Sequence, residues 1–238
     1  MTEKSGGYLH NKLARSIGER ILGGEFAPGA LLPNEAEWGK VFGTSRTAVR
    51  EALKTLIAKG LIISRPKIGS RVQPRSEWNI LDRDVLDWHH SAIDRREFIQ
   101  STQEVRRLVE PGVASLAAQK RTSTQLAQLT LALDEMKSAK THLEAVKADV
   151  NFHEALMAAA NNELLLPFGI IIEKALATLF DFTTQRNPRY KAALKMHEAI
   201  LRAVTNSNSK AAFTAMSKLL EDTDEIIAGT AKAKLRKI

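Results

Sequence analysis

From about residue 96 almost to its end, the chain repeats apolar residues at intervals of three and four. This spacing is that of α-helices with one buried face, and the region contains no convincing strand pattern. Short polar breaks such as "RTST" and "NSNS" separate the periodic stretches. We predict helices at about 96–120, 123–138, 141–160, 163–185, 190–206 and 208–232. Helices of these lengths joined by short loops form an antiparallel bundle.

The first 75 residues have a different pattern, which predicts three short helices followed by two short strands. We predict helices at about 9–23, 34–42 and 45–59, followed by short strands at Leu61–Ser64 and Ser70–Gln73. The turn "FGTS" between the second and third helices is short enough to hold them at a steep angle. Helix, loop, helix, tight turn, helix and β-hairpin is the order of a winged helix-turn-helix, in which the third helix meets DNA and the hairpin is the wing.

Positive charge is concentrated in the same N-terminal part of the chain. The formal net charge is +8. Residues 1–75 contain 13 Lys and Arg against 6 Asp and Glu, whereas residues 76–238 contain 22 against 21. This asymmetry indicates a module that binds a polyanion joined to a nearly neutral module, although small basic domains without that role are common.

Composition restricts the remaining classes of protein. Apolar residues make up 44% of the chain, which is enough for a sizeable core and excludes a disordered protein. The absence of cysteine excludes disulfides and thiolate metal sites. No apolar run approaches the roughly 18 residues of a membrane span, and the N-terminal residues lack the apolar core of a signal peptide. We therefore expect a cytoplasmic protein with no membrane partner.

The segment "GTSRTAVRE" carries the clearest functional pattern of the N-terminal part. Arg46 and Arg50 are four residues apart, so they project from one face near the start of the third helix. An arginine there can make two hydrogen bonds to a guanine in the major groove, and Ser45 and Thr47 can bond phosphates or base edges. The alternative is a solvated helix face with surface salt bridges, in which Glu51 is a partner for the arginines.

Three cations lie in or beside the predicted hairpin, namely Arg65, Lys67 and Arg71. A wing in this position reaches backbone phosphates or the minor groove, where cations fix the register of a protein on the duplex. We therefore expect Arg65 and Lys67 to belong to the DNA-binding surface.

The stretch "GGEFAPGALLPNEAEWGKVFGTSRTAVREALKTLIAKGLIISRPKIGSRV" resembles the DNA-binding module of the gluconate-operon-repressor (GntR) superfamily. The pieces that carry the resemblance are "PG…LP.E", "SRTAVREAL..L...GLI" and "R…GS.V". The resemblance implies a tight wing turn at Gly69 and recognition-helix positions at Ser45, Arg46, Thr47 and Arg50. Some members carry an arginine in the second helix where this chain has Ala36, so the base contact of that arginine is not expected here.

Two histidines of the helical half stand in a metal-binding pattern. In "KADVNFHEAL", Asp149 precedes His153 by four residues and shares its helix face, and His197 lies in "KMHEAIL" on a later helix. One Asp and two His from two helices can form an incomplete facial metal site with positions left for water or a ligand. On spacing alone, an Asp–His pair four residues apart is more often a pair on a helix surface.

The segments "EVRRLVEPGVASLAAQK", "ADVNFHEALMAAANNELL" and "HEAILRAV" resemble the all-helical FCD effector domain of the FadR subfamily of that superfamily. The resemblance implies a divalent metal, often zinc, held by an Asp and three His. Asp149, His153 and His197 match three of these positions, and the fourth falls near Leu219, which cannot ligate. The resemblance therefore implies either a three-ligand site with more room for water and effector, or a site that has lost the metal and binds the effector through its polar side chains.

The same resemblance implies that Arg106, in "EVRRLVEP", faces the effector pocket, and it favours Arg106 over Arg107. A cation beside a metal or a histidine cluster suits a carboxylate ligand. The alternative role for Arg106 is a salt bridge to Glu110, one turn along the helix, and both roles can hold together. The candidate effector-binding residues are Arg106, Asp149, His153 and His197.

A narrower similarity concerns the identity of the effector. The segment "PRSEWNILDRDVLDW", followed by "EVRRLVEPGVASLAAQKRTSTQLAQ", is similar to the galactonate-operon-repressor branch of the family. This similarity implies a sugar acid as effector, such as an aldonate or its 2-keto-3-deoxy product.

Together these patterns predict a mainly α protein with two modules. We expect a winged helix-turn-helix at 1–75, a connector with a short helix at 76–95, an effector-binding and dimerisation bundle at 96–232, and a basic tail at 233–238. We expect a homodimer that binds a palindromic operator and is released by a small carboxylate, which makes the protein a repressor rather than an enzyme.

Two other classes of protein stay open on these residues. A metal-dependent enzyme could use Asp149, His153 and His197 to activate water, but Glu154 points elsewhere on its helix and no nucleophile motif or nucleotide-binding glycine pattern is present. A constitutive architectural DNA-binding protein would leave the large helical half unexplained.

Overall fold

The elements follow one another along the chain largely in the predicted order. A computed structural model describes residues 3–180 and 188–235, and the chain divides into two units, Met1–Phe98 and Ile99–Ile238. The described residues form ten α-helices and one two-stranded antiparallel sheet. The mainly α fold class is confirmed.

The N-terminal unit contains the helices and strands of the expected winged helix-turn-helix, and one further helix. Its elements are α1 (Glu3–Leu22), α2 (Glu35–Phe42), α3 (Arg46–Ala58), β1 (Ile62–Arg65), β2 (Gly69–Val72) and α4 (Arg83–Ala92). Helix α1 begins earlier than the predicted residue 9, and both strands are displaced by one residue from the predicted spans.

Local side-chain chemistry sets the tight turn between α2 and α3. Asn34 caps α2 by accepting hydrogen bonds from the amides of Ala36 and Glu37, and the Glu37 carboxylate accepts one from the Asn34 amide at 2.7 Å. Gly43 ends α2 with a left-handed φ of 61°. Ser45 then caps α3, so only residues 43–45 separate the two helices.

The core of the N-terminal unit fixes which side of α3 is exposed. Buried side chains at helical spacing on α1 and α3 belong to one apolar cluster: Leu13, Ile17 and Ile21 on α1, and Val49, Leu53 and Leu56 on α3. Each such side chain stabilises the fold by roughly 1.5–3 kcal/mol when fully buried. Because the apolar stripe of α3 faces this core, Arg46, Thr47 and Arg50 remain exposed on the other side of the helix.

The β-hairpin has a turn that demands unusual backbone angles. The strands pair from Ile62 with Val72 to Arg65 with Gly69, and residues 66–68 make the turn. Gly69 has a φ of 93°, and a Cβ added there would lie 3.1 Å from Leu31 Cδ1. These observations agree with the expected tight turn at Gly69.

Helix α4 lies in the region expected to be a connector, and it packs within the N-terminal unit. A Cβ added to Gly18 of α1 would lie 2.4 Å from Trp88 Cε3, so the two helices approach closely. At the other end of α4, the Lys59 ammonium lies 2.6 Å from Asp82 Oδ1 and 2.8 Å from Asp84 Oδ2. Helix α4 is therefore held against both α1 and the end of α3.

The C-terminal unit is helical throughout its described residues. Its elements are α5 (Arg95–Lys120, which begins just before the division between the units), α6 (Ser123–Ser138), α7 (His142–Ala159), α8 (Gly169–Phe180), α9 (Pro188–Thr205) and α10 (Ser209–Leu235). Threonine-led capping boxes start α6 and α7. Helix α6 packs against α7, and α9 packs against α10, around a single apolar core.

Two predicted boundaries in this unit are wrong. The helix expected over 163–185 begins instead at Gly169, after a 3-10 turn over Glu163–Phe168 that contains Pro167. Residues 181–187 lie outside the described residues. The basic tail expected from 233 is still helical to Leu235, and residues 236–238 also lie outside the described part.

Candidate DNA interface and polar core site

The start of α3 presents the predicted recognition residues to solvent. Arg46, Thr47 and Arg50 are exposed, and all three lie in the first two turns of the helix. The Ser45 hydroxyl oxygen accepts a hydrogen bond from the Ala48 amide at 3.3 Å, so Ser45 acts as the helix cap. The hydroxyl hydrogen of Ser45 is left to donate to a phosphate oxygen.

Arg50 is held by a carboxylate that the sequence did not suggest. Its Nε donates to Glu35 Oε1 and its Nη2 donates to Glu35 Oε2, both at 2.8 Å. The alternative prediction named Glu51 as the partner, but Glu51 instead binds Lys54 at 2.9 Å. Glu35 is 15 residues away on α2, beyond the reach of helix-spacing rules, although it is the glutamate of the "LP.E" pattern.

The wing carries three exposed cations, and one of them, Arg71, also makes a structural hydrogen bond. Arg65 and Lys67 flank or lie in the hairpin turn and are exposed. Arg71 Nη1 donates a hydrogen bond to the Gly29 carbonyl at 2.9 Å, which ties β2 to the loop after α1. The structure therefore leaves Arg65 and Lys67 accessible to a polyanion, whereas Arg71 has a structural contact.

In the C-terminal unit, five ionisable side chains from three helices are buried together. We call this group the polar core site: Arg106 and Glu110 on α5, Asp149 and His153 on α7, and His197 on α9. Candidate ligand atoms of Asp149, His153 and His197 all lie within 4.8 Å of one another. Asp149 Oδ1 is 3.1 Å from His197 Nε2 and 3.8 Å from His153 Nε2. The structure thus brings together the residues of the predicted metal-binding pattern.

Arg106 and Arg107 have opposite environments, as the sequence suggested. Arg106 is buried, and its Nε donates to Glu110 Oε1 at 2.6 Å while its Nη1 donates to Gln103 Oε1 at 3.2 Å. Arg107 is exposed and pairs with Asp224 at 2.6 Å. The salt bridge named as the alternative role of Arg106 is therefore present.

Glu110 links Arg106 to the histidines, a role that helix spacing could not reveal. Its Oε2 lies 2.6 Å from His153 Nδ1. On the other helix, His197 Nδ1 lies 2.8 Å from the Ala193 carbonyl oxygen. An acceptor beside Nδ1 favours the proton on that nitrogen and leaves the Nε2 lone pair for a ligand. Both Nε2 atoms are the ones nearest Asp149.

Charge interactions keep both buried carboxyls ionised. Burial alone would raise the pKa of Glu110, but the charges of Arg106 and His153 outweigh it and hold this pKa at about 2. Burial acts in the same way on Asp149, whose pKa is nonetheless held below its usual value, chiefly by its contact with His197. The polar core site therefore holds two carboxylates beside one guanidinium.

Asp149 Oδ1, His153 Nε2 and His197 Nε2 are buried and face one another, with no partner outside the polar core site. When both Nδ1 atoms carry the proton, these three atoms are all acceptors and none can donate to another. Leaving a buried polar group unpaired costs about 1–3 kcal/mol. A divalent cation held by Asp149 Oδ1 and the two Nε2 atoms would satisfy all three, and this oxygen–nitrogen ligand set suits zinc and similar metals. The residues therefore fit a metal.

Comparison with known proteins agrees with both halves of the structure. Residues 9–72 match the family model for bacterial regulatory proteins of the gntR family, and residues 101–222 match the FCD domain. The chain belongs to the GntR family of transcriptional regulators. Both families, and the relatives described next, consist of transcriptional regulators rather than enzymes. This GntR protein is therefore a regulator and not an enzyme.

Its relatives in Escherichia coli cover nearly the whole chain. The HTH-type transcriptional regulator YieP is 37% identical over 90% of this chain and 93% of its own. The galactonate operon transcriptional repressor is 35% identical over 85% of this chain and 89% of its own. Among solved structures, Lar of Listeria monocytogenes has a TM-score of 0.62 at 16% identity, over 92% of this chain and 96% of that one, which supports the fold alone.

Two further observations bear on the sequence predictions for this GntR protein. Leu219, where the family resemblance implies a fourth metal ligand, is buried in the apolar core of the C-terminal unit. The described site accordingly offers three ligands from Asp149, His153 and His197. Among the described helices, none combines the length and apolar character that crossing a membrane requires.

Proposed function

We propose that this GntR regulator is a homodimeric repressor that acts in the cytoplasm and leaves a palindromic operator when a small carboxylate binds its polar core site. Two copies of α3 would enter successive major grooves, as the two-fold symmetry of such an operator requires. The DNA-contacting residues proposed are Ser45, Arg46, Thr47, Arg50, Arg65 and Lys67, with Gly69 forming the wing turn.

The observation that carries the effector proposal is the group of ionisable side chains buried together inside the C-terminal unit. An apolar core of equal volume would avoid the cost of burying these groups, and a buried salt bridge is a weak source of stability. Perturbed ionisable groups that converge in a protein interior are typical of ligand-binding sites. The polar core site therefore supports a binding role.

The ligand atoms of the site support a metal that in turn binds a carboxylate. Beside the single guanidinium of Arg106, the site offers the carboxylates of Glu110 and Asp149 and two imidazoles, and these groups suit a cation. A bound divalent ion would supply positive charge and open coordination positions for the carboxylate. Asp149, His153 and His197 would hold this ion, and their ligand count of three leaves positions for the effector.

Two observations favour a sugar acid as the effector. One of the relatives that matches most of the chain is named a galactonate operon repressor. In addition, Arg106 supplies a guanidinium within the same site, and planar guanidinium groups recognise carboxylates. Effector binding would release the operator by favouring a conformation of the dimer that binds DNA less tightly.

The test is a thermal-melt screen of the purified full chain against aldonates, 2-keto-3-deoxy-aldonates and simple hydroxy acids, with and without a chelator. We expect one sugar acid to raise the melting temperature by several degrees, because a ligand at about 100 times its Kd stabilises the folded state by about 2.7 kcal/mol. We also expect the chelator to abolish this rise.

A matched pair of variants locates the binding site. His197→Ala should lose the response, whereas His142→Ala, which changes an exposed histidine at the start of α7, should keep it. A rise that survives the chelator would replace the metal with direct binding by Arg106 and the histidines. No response to any acid would contradict the sugar-acid proposal.

A further inference from the structure

Glu35 makes a two-point contact with Arg50, the arginine proposed to read DNA. The carboxylate lies on the first residue of α2 and binds the Nε and Nη2 side of the guanidinium through two hydrogen bonds of 2.8 Å each. This fork geometry fixes the guanidinium in position and in plane, which a single hydrogen bond would not do.

The contact leaves the other edge of the guanidinium available. A guanidinium has five N–H donors, and the Glu35 fork uses one edge of it. The remaining edge, formed by Nη1 and Nη2, can make two hydrogen bonds to the O6 and N7 atoms of guanine. The Arg50 side chain is 60% exposed despite its partner, so this edge is accessible from outside.

The backbone of Glu35 is held in a well-defined position. The Asn34–Glu37 capping box fixes the start of α2, and Trp38 of the same helix is buried in the core. The carboxylate is thus attached to a rigid element, whereas the arginine side chain has several rotatable bonds. Restricting these bonds before DNA binds reduces the entropy lost when Arg50 docks on a base.

Stability does not account for the pair. The side chains of Arg50 and Glu35 are 60% and 32% exposed, and ion pairs that water can reach contribute little to folding. The carboxylate also brings negative charge towards a surface that must approach phosphates, which weakens general affinity for DNA. A residue that lowers general affinity while orienting a base-reading arginine increases discrimination between sequences.

From these contacts we infer that Glu35 is a specificity-determining residue, which positions Arg50 to read a guanine without having to touch DNA itself. The inference rests on the proposed contact between Arg50 and a base. It separates two effects of Glu35: its charge reduces binding to any sequence, and its fork aligns Arg50 for one base. Two substitutions distinguish them, because Glu35→Gln removes the charge and Glu35→Asp keeps the charge but shortens the reach.

The experiment selects binding sites for the full-length protein from a randomised duplex DNA library and sequences them. Wild type, Glu35→Gln, Glu35→Asp and Arg50→Ala are compared, with Glu51→Gln as the control. The control removes the same charge from the DNA-binding unit but breaks a contact to Lys54 rather than to Arg50. Thermal melting confirms that each variant is folded.

We expect wild type to select a guanine in each half-site that Arg50→Ala no longer selects. Both Glu35 variants should still bind DNA, with the preference for that guanine reduced by about fivefold or more, the range of one lost base contact. Only the two Gln variants should bind non-specific DNA more tightly than wild type, and Glu51→Gln should keep the guanine preference.

Two outcomes would overturn the inference while leaving the Arg50 contact in place. One is an unchanged guanine preference in both Glu35 variants, and the other is a complete loss of DNA binding by a folded Glu35 variant. If Arg50→Ala selects the same sites as wild type, the proposed Arg50 contact is wrong, and the role of Glu35 is wrong with it.

Discussion

The two units each contain an arginine–glutamate pair at hydrogen-bonding distance, in opposite environments. Arg50 and Glu35 join two helices of the N-terminal unit, and the Arg50 side chain is 60% exposed. Arg106 and Glu110 lie one turn apart on α5, and each side chain is 2% exposed. Water screens the exposed pair, so this pair adds little stability and serves to orient Arg50. The buried pair must stay intact, because removing one partner would leave the other charge buried without a counter-charge.

The largest expected effect is on the buried pair. Arg106→Ala should lower the free energy of unfolding by about 3–5 kcal/mol, because it leaves the Glu110 carboxylate buried without its main counter-charge. Chemical denaturation followed by circular dichroism measures the loss. The control is Arg107→Ala, which breaks the exposed pair with Asp224 and should cost no more than about 1 kcal/mol. Equal losses in the two variants would contradict the contrast between buried and exposed pairs.

The second effect is on DNA binding and should leave stability unchanged. Arg50→Ala should weaken binding to a selected operator by about 1–3 kcal/mol for each half-site, because it removes a base contact from an exposed side chain. Titrations of labelled operator at fixed salt measure this loss. Effector-induced stabilisation of the variant should match that of wild type, and a loss of both properties would contradict the separation of roles between the units.

The third effect concerns the residue that joins the buried pair to the histidines. Glu110→Gln should lower metal affinity about 10–100-fold, because the carboxylate beside His153 Nδ1 no longer favours the tautomer that offers Nε2. Competition with a coloured chelator measures the affinity. Glu104→Gln, an exposed change on the same helix, should leave it unchanged. Undiminished affinity in the folded Glu110 variant would show that Glu110 serves only Arg106.

The smallest effect is on the carboxylate that joins α3 to α4. Burial would raise the pKa of Asp82, but the Lys59 ammonium and the amides of Val85 and Asp84 outweigh it and hold this pKa below the usual 3.8. Its stabilisation is therefore complete above pH 3.8 and is lost as the pH falls through the lowered pKa. Asp82→Asn keeps an oxygen that can cap α4 but removes the charge, so it should cost about 1 kcal/mol at pH 7. Melts at pH 7 and below pH 3 should show this difference shrink, and a constant difference would show that the charge of Asp82 does not stabilise the fold.

The spans of the helices were predicted more accurately than the contacts between side chains of different helices. Apolar periodicity and capping residues gave most helix spans, since these depend on neighbours within one turn. The pattern of Asp149, His153 and His197 was also readable, because helix spacing and family resemblance both point to it. Glu35 and Glu110 were missed as partners of Arg50 and His153, since those contacts join different helices and depend on side-chain direction. The helix predicted from 163 starts instead at Gly169, because apolar spacing alone does not separate a 3-10 turn from the first turn of an α-helix.

The recognition helix is attached by ion pairs near both of its ends. Glu35 holds Arg50 in the second turn, and Asp82 and Asp84 hold Lys59 just after the last turn, where Lys59 also lies 5.5 Å from the Trp88 ring. Its buried face also packs against α1 in the core of the N-terminal unit, so the orientation of α3 is set by many contacts rather than by one substitutable side chain. Relatives that diverge towards new operators should therefore vary the exposed side chains of α3 and keep its orientation.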